Sequence, residues 1–273
     1  MIESPLPLCI ITVVRNGAST LSETLASVRS LPVRPLTHVL VDGESTDDTP
    51  RLIADHRNLS ASMGIETHAL RSPPRGIYEA MNRGVLLAPP ESIILFLNAD
   101  DCVLPEGPWS SAVTTFAESQ MQFVFAGLRT VMPDGRTRHR PGNPVDWPRP
   151  ICQQQLLVRR SLLTTYPLPT DEGLAADAIW ASTHLPGHSG LYVEEALVSV
   201  KLTGVSYREP WRSLRPFLRY LVRTGRYARA SRELLRFGIG LTLRTARSVL
   251  RHSTALHART RKSGADGECI GKS

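Results

Sequence analysis

The fold is decided by two runs near the start of the chain, LCIITVVRNGAST (Leu8–Thr20) and THVLVDG (Thr37–Gly43). Each run starts as a short continuous apolar segment and ends in polar residues, as expected of a strand that is covered on both faces. Between them, Ser19–Ser30 carries apolar residues three or four positions apart, which predicts a helix. The chain therefore opens with a β-α-β unit.

The same alternation continues to residue 101. STDDT (Ser45–Thr49) supplies cap residues and early acids for a second helix. IETHAL (Ile65–Leu70) predicts a third strand, and GIYEAMNRGVLLA (Gly76–Ala88) predicts a third helix. SIILFLNADD (Ser92–Asp101) predicts a very apolar fourth strand that stops at two carboxylates. This order favours an α/β fold, an open, mainly parallel sheet with helices on both faces.

The pattern beyond residue 120 is more mixed. Met121–Val131, followed by a PDG turn, predicts a strand and a hairpin. Leu174–His184 predicts a short helix and Leu191–Leu202 another strand, whereas Ile151–Leu163 fits neither pattern clearly. From Trp211 onward the pattern is helical.

Composition and charge bound the domain organisation. The 273 residues are 41% apolar and 21% charged, which indicates a soluble globular protein rather than a fibre, a disordered chain or a disulfide scaffold. The net charge of +7 is uneven, because residues 208–262 hold 15 basic residues and two acids, a local +13 that leaves −6 elsewhere. We predict a domain over residues 1–207, a basic helical segment over 208–262 and a disordered tail over 263–273.

The cysteines and the N-terminus indicate the compartment. Cys9, Cys102, Cys152 and Cys269 are scattered without a CxxC pair, which favours reduced thiols in the cytoplasm over a structural zinc site. The first residues contain an acid and no basic stretch, so we expect a buried strand rather than a signal peptide. No apolar run approaches the roughly 18 residues of a membrane span.

Polar side chains follow three of the predicted strands. They are Arg15 and Asn16 after the first, Asp42 after the second, and Asn98, Asp100 and Asp101 after the fourth. Ligands of open α/β sheets lie outside the carboxyl ends of the strands, so these residues are candidates for a binding site. The alternative is that Asn and Asp end strands only because they favour turns.

Two adjacent carboxylates, Asp100 and Asp101, need stabilisation because they repel each other. A divalent cation, Mg²⁺ or Mn²⁺, held by one or both acids and by substrate phosphates, would provide it and would assist a diphosphate leaving group. The alternative is a solvated turn with both acids pointing outward.

Four segments in order carry a resemblance to a known family. ITVVRNGASTLSETLASV, HVLVDGESTDDT, RGIYEAMNRGVLLA and IILFLNADD resemble the family 2 glycosyltransferases of the GT-A fold, a Rossmann-like sheet, and are most similar to bacterial members that build surface polysaccharides. The motifs cover Leu8–Val103, about a third of the chain, and a looser match runs on to Ser206.

The resemblance implies a nucleotide-sugar site. Arg15, Asn16 and Asp42 match the positions that hold the base and ribose of the donor, where a carboxylate accepts hydrogen bonds. The DxD motif, which binds the metal and the donor diphosphate, falls on Asn98-Ala99-Asp100, with Asn98 in place of the first acid. The direct metal ligand is either Asp100 or Asp101.

The GIYEAMNRG segment resembles a family helix that packs beneath the donor. Pro74 stands where the family usually has an acid, and Arg75 either faces the diphosphate or lies in solvent, the alternative we favour. Asn82 is a polar candidate for donor binding, whereas Tyr78 and Met81 are assigned to the core.

An inverting transferase needs a base for the acceptor hydroxyl. EGLAADAIWA resembles the family stretch that carries this acid, which implies Asp177. Its alanine-rich surroundings would bury the carboxyl and raise its pKa. The alternative is an exposed helical aspartate at this position, with Asp171 or Glu172 as the base. The glutamines 153–155 precede VRRS, where relatives often carry a polar acceptor-site segment, and are assigned no individual roles.

The basic segment admits three interpretations. Its arginines, spaced by three or four, form one helical stripe at 212, 215, 219, 223, 226, 229, 232 and 236, although Pro216 and Gly225 argue against one unbroken helix. We favour peripheral contact with an anionic membrane, on the cytoplasmic face of the inner membrane. The alternatives are a helix packed on the domain with solvated arginines, and nucleic-acid binding, which no recognised motif supports.

The sequence therefore predicts an inverting, metal-dependent transferase of the hexosyltransferase type. It would move a sugar from a nucleotide-sugar donor, with UDP favoured, to a glycan or lipid-linked saccharide acceptor in polysaccharide biosynthesis. The alternatives are a nucleotidyltransferase, for which RNGAST is a poor phosphate loop, and a degenerate membrane-bound scaffold, at which only Pro74 and Asn98 hint.

Overall fold

The computed structural model describes residues 1–142 and 152–238. The chain divides into two compact units, residues 1–217 and 218–273, the second of which is described as far as residue 238. The predicted tail over 263–273 and the end of the predicted basic segment, from residue 239, lie outside the described residues.

The strands and helices follow the predicted alternation closely in the first hundred residues. The strands are β1 (Ile2–Val14), β2 (Val33–Asp42), β3 (Ile65–Arg71), β4 (Ile93–Phe96), β5 (Cys102–Val103), β6 (Phe123–Val131), β7 (Thr137–Arg140), β8 (Leu156–Arg159) and β9 (Gly190–Lys201). The α-helices are α1 (Leu21–Arg29), α2 (Thr49–Ala61), α3 (Ile77–Leu87), α4 (Trp109–Glu118), α5 (Arg160–Thr165), α6 (Ala176–His184), α7 (Val205–Arg208) and α8 (Trp211–Arg223).

These strands form one mixed sheet in the order β3-β2-β1-β4-β8-β6-β9-β5, with β7 paired to β6. The four strands of the first hundred residues are parallel to one another, as predicted. The second half adds antiparallel pairs, β4 with β8, β6 with β8, β6 with β7, and β5 with β9. The carboxyl ends of β1, β2 and β4 therefore meet at one edge of the sheet.

The core lies on both faces of the sheet, which confirms the predicted helices on both faces. Alternate residues of a strand point to opposite faces. Leu8 and Ile10 of β1 accordingly join a cluster with α1 and α4, whereas Cys9 and Ile11 join one with α3, α5 and α6. Helix α3 packs closely on β1 at Gly84, which has no side chain. A Cβ added there would lie only 2.5 Å from Cγ2 of Ile11.

The later part of the first unit resolves what the sequence left open. The predicted hairpin is present, and its turn is closed by the Met132 N–H, which donates to the Arg136 carbonyl. The ambiguous stretch Ile151–Leu163 contains β8 and the start of α5. A turn of 3₁₀-helix over Gln153–Gln155 precedes β8.

Helical structure continues beyond residue 217, with a break. Gly225 has φ of 71°, in the left-handed region that ends a helix, between α8 and a helix over 227–238. The expected break at Gly225 is confirmed, whereas Pro216 lies inside α8. Phe217 and Leu221, two of the predicted apolar residues, are buried. None of the described helices is both long and apolar enough to cross a membrane.

Candidate functional site

The loop after β1 and the end of β2 form one hydrogen-bonded unit. Asn16 has φ of 52°, a left-handed conformation that asparagine tolerates. Its N–H donates to Ser45 Oγ at 2.8 Å, and its Oδ1 accepts from the Thr46 N–H at 2.9 Å. The Ser45 N–H in turn donates to Oδ1 of the buried Asp42 at 3.0 Å. Two of the predicted donor-binding positions, Asn16 and Asp42, are thus fixed by one serine.

Glycines let the neighbouring segments come close to this unit. Arg15 lies over Gly43, where a Cβ would be 3.3 Å from Cβ of Arg15. A Cβ at Gly17 would lie 3.7 Å from Cβ of Ala99, in the loop after β4. The structure therefore brings the predicted base and ribose positions next to the Asn98-Ala99-Asp100 motif.

Asp101 is buried, and both of its carboxylate oxygens accept hydrogen bonds. Oδ2 accepts from Nε2 of Gln154 at 2.8 Å, and Oδ1 accepts from the Lys201 N–H at 3.1 Å. Burial, followed by the neighbouring charge of Asp100, raises the pKa of the Asp101 carboxyl to about 7. Asp101 therefore ties the end of β4 to the 153–155 turn and to the end of β9.

Asp100 is in a different environment, although it is the next residue. Its side chain is partly exposed, and burial raises the pKa of its carboxyl, against which the charge of Lys201 acts. The neighbouring Asn98 accepts a hydrogen bond at Oδ1 from Nε2 of Gln153 at 3.2 Å. We call Asn98, Asp100 and Asp101 the acidic edge.

Asp177, the predicted base, lies in the first turn of α6 and is linked to the acidic edge. Its carboxylate accepts hydrogen bonds from the Gln153 backbone N–H and from the Tyr78 hydroxyl, the latter at 3.2 Å. Gln153 therefore contacts Asp177 through its main chain and Asn98 through its side chain. Burial raises the pKa of the Asp177 carboxyl to about 6, and the hydrogen bonds act against this rise.

Two predicted donor-binding residues lie elsewhere. The side-chain amide of Asn82 is hydrogen-bonded to the main chain of Leu168. Its Nδ2 donates to the Leu168 carbonyl at 2.8 Å, and its Oδ1 accepts from the Leu168 N–H at 2.9 Å. Arg75 is exposed and lines a separate cavity of about 510 Å³ beside α3. Asp171, a fallback for the base, is exposed to solvent.

Sequence reasoning missed three residues that organise the site. Gln153 and Gln154 received no role, and Tyr78 was assigned to the core, where its ring is buried while its hydroxyl reaches Asp177. The signals for the glutamines were their position in a stretch that is often polar in relatives and a run of three glutamines directly before the apolar residues of β8. Glutamines next to a buried strand are expected to be buried too, and buried polar side chains need hydrogen-bond partners, so such a run indicates residues that hold other polar groups in place.

The residues of the acidic edge fit a small divalent cation that would also be held by the phosphates of a bound substrate. Among residues 1–142 and 152–238 no three His, Cys, Asp or Glu side chains form a metal cluster. Mg²⁺ is commonly held by one or two carboxylates together with substrate phosphates, which does not require such a cluster. The partly exposed carboxylate of Asp100 meets that requirement.

Comparison with known proteins gives the family. The sequence model of Glycosyl transferase family 2 matches residues 9–170, more than half of the chain. This chain belongs to that family. The match extends from β1 through the acidic edge and the 153–155 turn, and ends shortly before Asp177.

The curated relatives of this family 2 glycosyltransferase come from mycobacteria. Proteins of Mycobacterium bovis and Mycobacterium tuberculosis described as "PGL/p-HBAD biosynthesis glycosyltransferase" are 32% identical over 162 residues, 57% of this chain. The chain spans 60% of the length of these relatives in that match.

Solved structures show the same fold. S. aureus TarS residues 1–349 in complex with UDP-GlcNAc has a TM-score of 0.61 and 17% identity over 81% of this chain and 66% of that one. The mannosyltransferase PcManGT from Pyrobaculum calidifontis, in complex with GDP-Man and Mn²⁺, has a TM-score of 0.59 and 20% identity over 80% of this chain and 64% of that one. The GT-A fold predicted from the motifs is confirmed.

Proposed function

We propose that this family 2 glycosyltransferase transfers a sugar from a nucleotide-sugar donor to a glycan or lipid-linked saccharide acceptor, with inversion at the anomeric carbon. One observation carries the proposal. Gln153 contacts both Asp177 and Asn98, so a single residue separates the Asp177 carboxyl, whose pKa is about 6, from the acidic edge in space. Such a carboxyl is mostly ionised at neutral pH and is more basic than an ordinary aspartate, so it is suited to accept the proton of a hydroxyl nucleophile.

The proposed reaction is a single displacement. The acceptor hydroxyl attacks the anomeric carbon, the bond from that carbon to the nucleotide diphosphate breaks, and Asp177 takes the hydroxyl proton. Tyr78 and the Gln153 N–H hold the Asp177 carboxylate in place for this step. Asn16 and Asp42 bind the nucleoside part of the donor, and Arg15 lies beside it over Gly43.

We assign the divalent cation, Mg²⁺ or Mn²⁺, to Asp100. The oxygens of Asp101 already accept hydrogen bonds from Gln154 and Lys201, whereas the carboxylate of Asp100 is partly exposed. When bound, the cation would offset the negative charge that develops on the departing diphosphate. The role of Asp101 would then be to hold the loop that carries Asp100.

The donor and acceptor are proposed by analogy with the similar proteins. One structural neighbour binds UDP-GlcNAc, and another binds GDP-Man with Mn²⁺. We favour a UDP-linked hexose as the donor. The mycobacterial relatives are named for PGL/p-HBAD biosynthesis, and we favour a saccharide as the acceptor.

A nucleotide-sugar screen tests this proposal. Melting temperature is measured with UDP- and GDP-sugars, with and without Mn²⁺, because a ligand that binds only the native state raises it. We expect at least one donor to raise the melting temperature, and Mn²⁺ to increase that rise. If no nucleotide-sugar stabilises the chain or is turned over, the transferase proposal is wrong and the scaffold alternative gains support.

Peripheral membrane association stays a prediction. Arg212, Arg215 and Arg219 of α8 are exposed, and so are Trp211 and Val222. Because Phe217 and Leu221 are buried, fewer apolar side chains of α8 are available to lipid than the sequence suggested. Co-sedimentation of the full chain with anionic and with zwitterionic vesicles tests the prediction, and equal sedimentation with both would contradict it.

A further inference from the structure

A cavity of about 510 Å³ lies beside α3 and is separate from the acidic edge. Three of its lining residues are arginines, Arg75, Arg212 and Arg215, and we call it the arginine-lined cavity. Its other walls come from the first turn of α3, from Thr170, Gly173 and Leu174, and from the start of α8. The volume is in the range of sites that bind small molecules.

The charges in this cavity favour an anion. All three arginines are exposed, and no carboxylate of the described residues lies within ion-pair distance of Arg75 or Arg215. Arg212 has Glu209 at 3.6 Å, an exposed pair that contributes little. The one lining acid, Glu79, forms an ion pair with Arg83 through Oε1, which offsets its charge and leaves the three arginines in excess. The cavity therefore carries excess positive charge.

The main chain adds to this charge. Gly76, Ile77 and Tyr78 line the cavity at the start of α3, where the first N–H groups of a helix have no acceptor within the helix. Such groups, together with arginine side chains, are suited to phosphate oxygens.

The cavity also has an apolar side. Trp211 is 53% exposed and Ile77 is 40% exposed, and both line it. An exposed indole next to a charged group offers a flat apolar surface of the kind on which one face of a sugar ring can pack. A ligand with a ring and an adjacent phosphate would use both parts of the cavity.

One hydrogen bond joins the cavity to the proposed base. Tyr78 lines the cavity, and its hydroxyl donates to Oδ1 of Asp177 at 3.2 Å. Asp177 is therefore linked to the acidic edge through Gln153 and to the arginine-lined cavity through Tyr78. Asp177 is not among the residues that line the cavity, so an acceptor held there would extend past Tyr78 to present a hydroxyl to Asp177 while the donor occupies the acidic edge.

We propose that the arginine-lined cavity is the acceptor subsite and that it takes a saccharide carrying a phosphate on its anomeric carbon. This inference rests on the proposed function, since it assigns the second substrate of the same reaction. The phosphate would contact Arg75, Arg212 and Arg215, and the sugar would pack on Trp211. The phosphate could belong to a free sugar 1-phosphate or to the head of a lipid-linked saccharide.

Binding measurements on the full chain test the subsite. The probes are a panel of hexose 1-phosphates, the matching neutral methyl glycosides, and UDP with Mn²⁺, each followed by isothermal titration calorimetry. We expect at least one hexose 1-phosphate to bind more tightly than its methyl glycoside. The double variant Arg212→Ala/Arg215→Ala should weaken that binding by about tenfold or more and leave UDP binding within about twofold.

Matched variants separate the cavity from general charge effects. Arg138→Ala removes an exposed arginine of β7 that does not line the cavity, and should leave hexose 1-phosphate binding unchanged. Arg215→Lys, which keeps the charge, should retain more binding than Arg215→Ala. Trp211→Ala should weaken the hexose 1-phosphate but not inorganic phosphate. Unchanged melting temperatures in these exposed-site variants serve as the folding control.

Four outcomes would overturn the inference. In the first two, the parent chain binds no hexose 1-phosphate, or binds it no more tightly than the methyl glycoside. In the other two, Arg138→Ala loses as much hexose 1-phosphate binding as the double variant, or the double variant loses UDP binding in parallel, which would assign the cavity to the donor diphosphate. Failure of the parent chain to bind UDP at all would count instead against the proposed function. A decyl phosphodiester of the best sugar distinguishes the two sources: tighter binding supports the lipid-linked form, and equal binding supports the free sugar phosphate.

Discussion

The acidic edge and the arginine-lined cavity differ in how their charged groups are held. At the acidic edge, Asp101 is buried and has hydrogen-bond donors on both oxygens, and Asn98 is held by Gln153. In the cavity, the charged groups belong to the long, flexible side chains of three exposed arginines. The first region is organised before any ligand arrives, whereas the second provides charge and an apolar surface without fixed geometry.

This difference fits the two substrates that we propose for one transfer reaction. Charge that develops during bond breaking is stabilised best by groups that are already oriented. In the proposed acceptor subsite, recognition and release would instead depend on exposed arginines and one exposed indole. Tyr78 is the residue shared by the two regions, since it lines the cavity and donates to Asp177.

The largest effect is expected at the proposed base. Asp177→Asn removes the group that accepts the proton and should lower transfer by about 10²- to 10⁴-fold. Binding of UDP with Mn²⁺ at the acidic edge and of the sugar phosphate in the cavity should persist, because neither requires a charged residue 177. Steady-state transfer rates combined with calorimetry check this.

Asp171→Asn and Glu172→Gln are the controls for that experiment. Both should keep transfer near the parent rate, because Asp171 is exposed and Glu172 is not part of the Gln153–Tyr78 pair of contacts. Full turnover in Asp177→Asn, with a loss in either control, would move the base to the fallback residue.

The next effect distinguishes the two neighbouring acids. Asp100→Asn should weaken Mn²⁺-dependent UDP binding by on the order of tenfold or more while the melting temperature stays close to the parent value. Asp101→Asn places an amide against the donors Gln154 and Lys201, and should cost about 1–3 kcal/mol of unfolding free energy. Thermal unfolding and UDP titrations, with and without Mn²⁺, measure both. The reverse pattern would assign the metal to Asp101.

The smallest effect concerns the pH dependence of transfer and Tyr78, the residue that the two regions share. Asp177 has to be ionised to act as a base, so with a pKa of about 6 transfer should rise between pH 5 and pH 7. Tyr78→Phe removes a donor that favours the ionised form, so the pKa of Asp177 should increase and the midpoint should move to higher pH. We expect transfer at pH 6 to fall by about two- to fivefold, with a smaller deficit at pH 8. A pH profile that does not move in Tyr78→Phe would contradict this link between base and cavity.

The first hundred residues were predictable because their signals are local. The strands β1 and β4 are almost wholly apolar where they are buried, and their carboxyl ends carry the polar residues. The stretch Ile151–Leu163 was not predictable in the same way. Gln155 is fully buried there and donates to the Ala126 carbonyl, so a polar residue occupies an interior position that periodicity would give to an apolar one.

The candidate site was predicted in part. The motifs named Asn16, Asp42, the acidic edge and Asp177, and the structure links these residues through Ser45, Ala99 and Gln153. The basic stripe, by contrast, gave no indication that Arg212 and Arg215 face a cavity. Spacing along a helix identifies a charged face but not what lies opposite it.

By itself, the sequence determined the alternation of strands and helices and the polar groups at the strand ends, because both depend on residues close together in the chain. It could not separate Asp100 from Asp101, which are the same residue type at adjacent positions. The tertiary structure did so, because the hydrogen bonds of Asp101 come from Gln154 and Lys201, 53 and 100 residues further along. Burial and partners are properties of the folded chain, and they decide the state of each carboxylate.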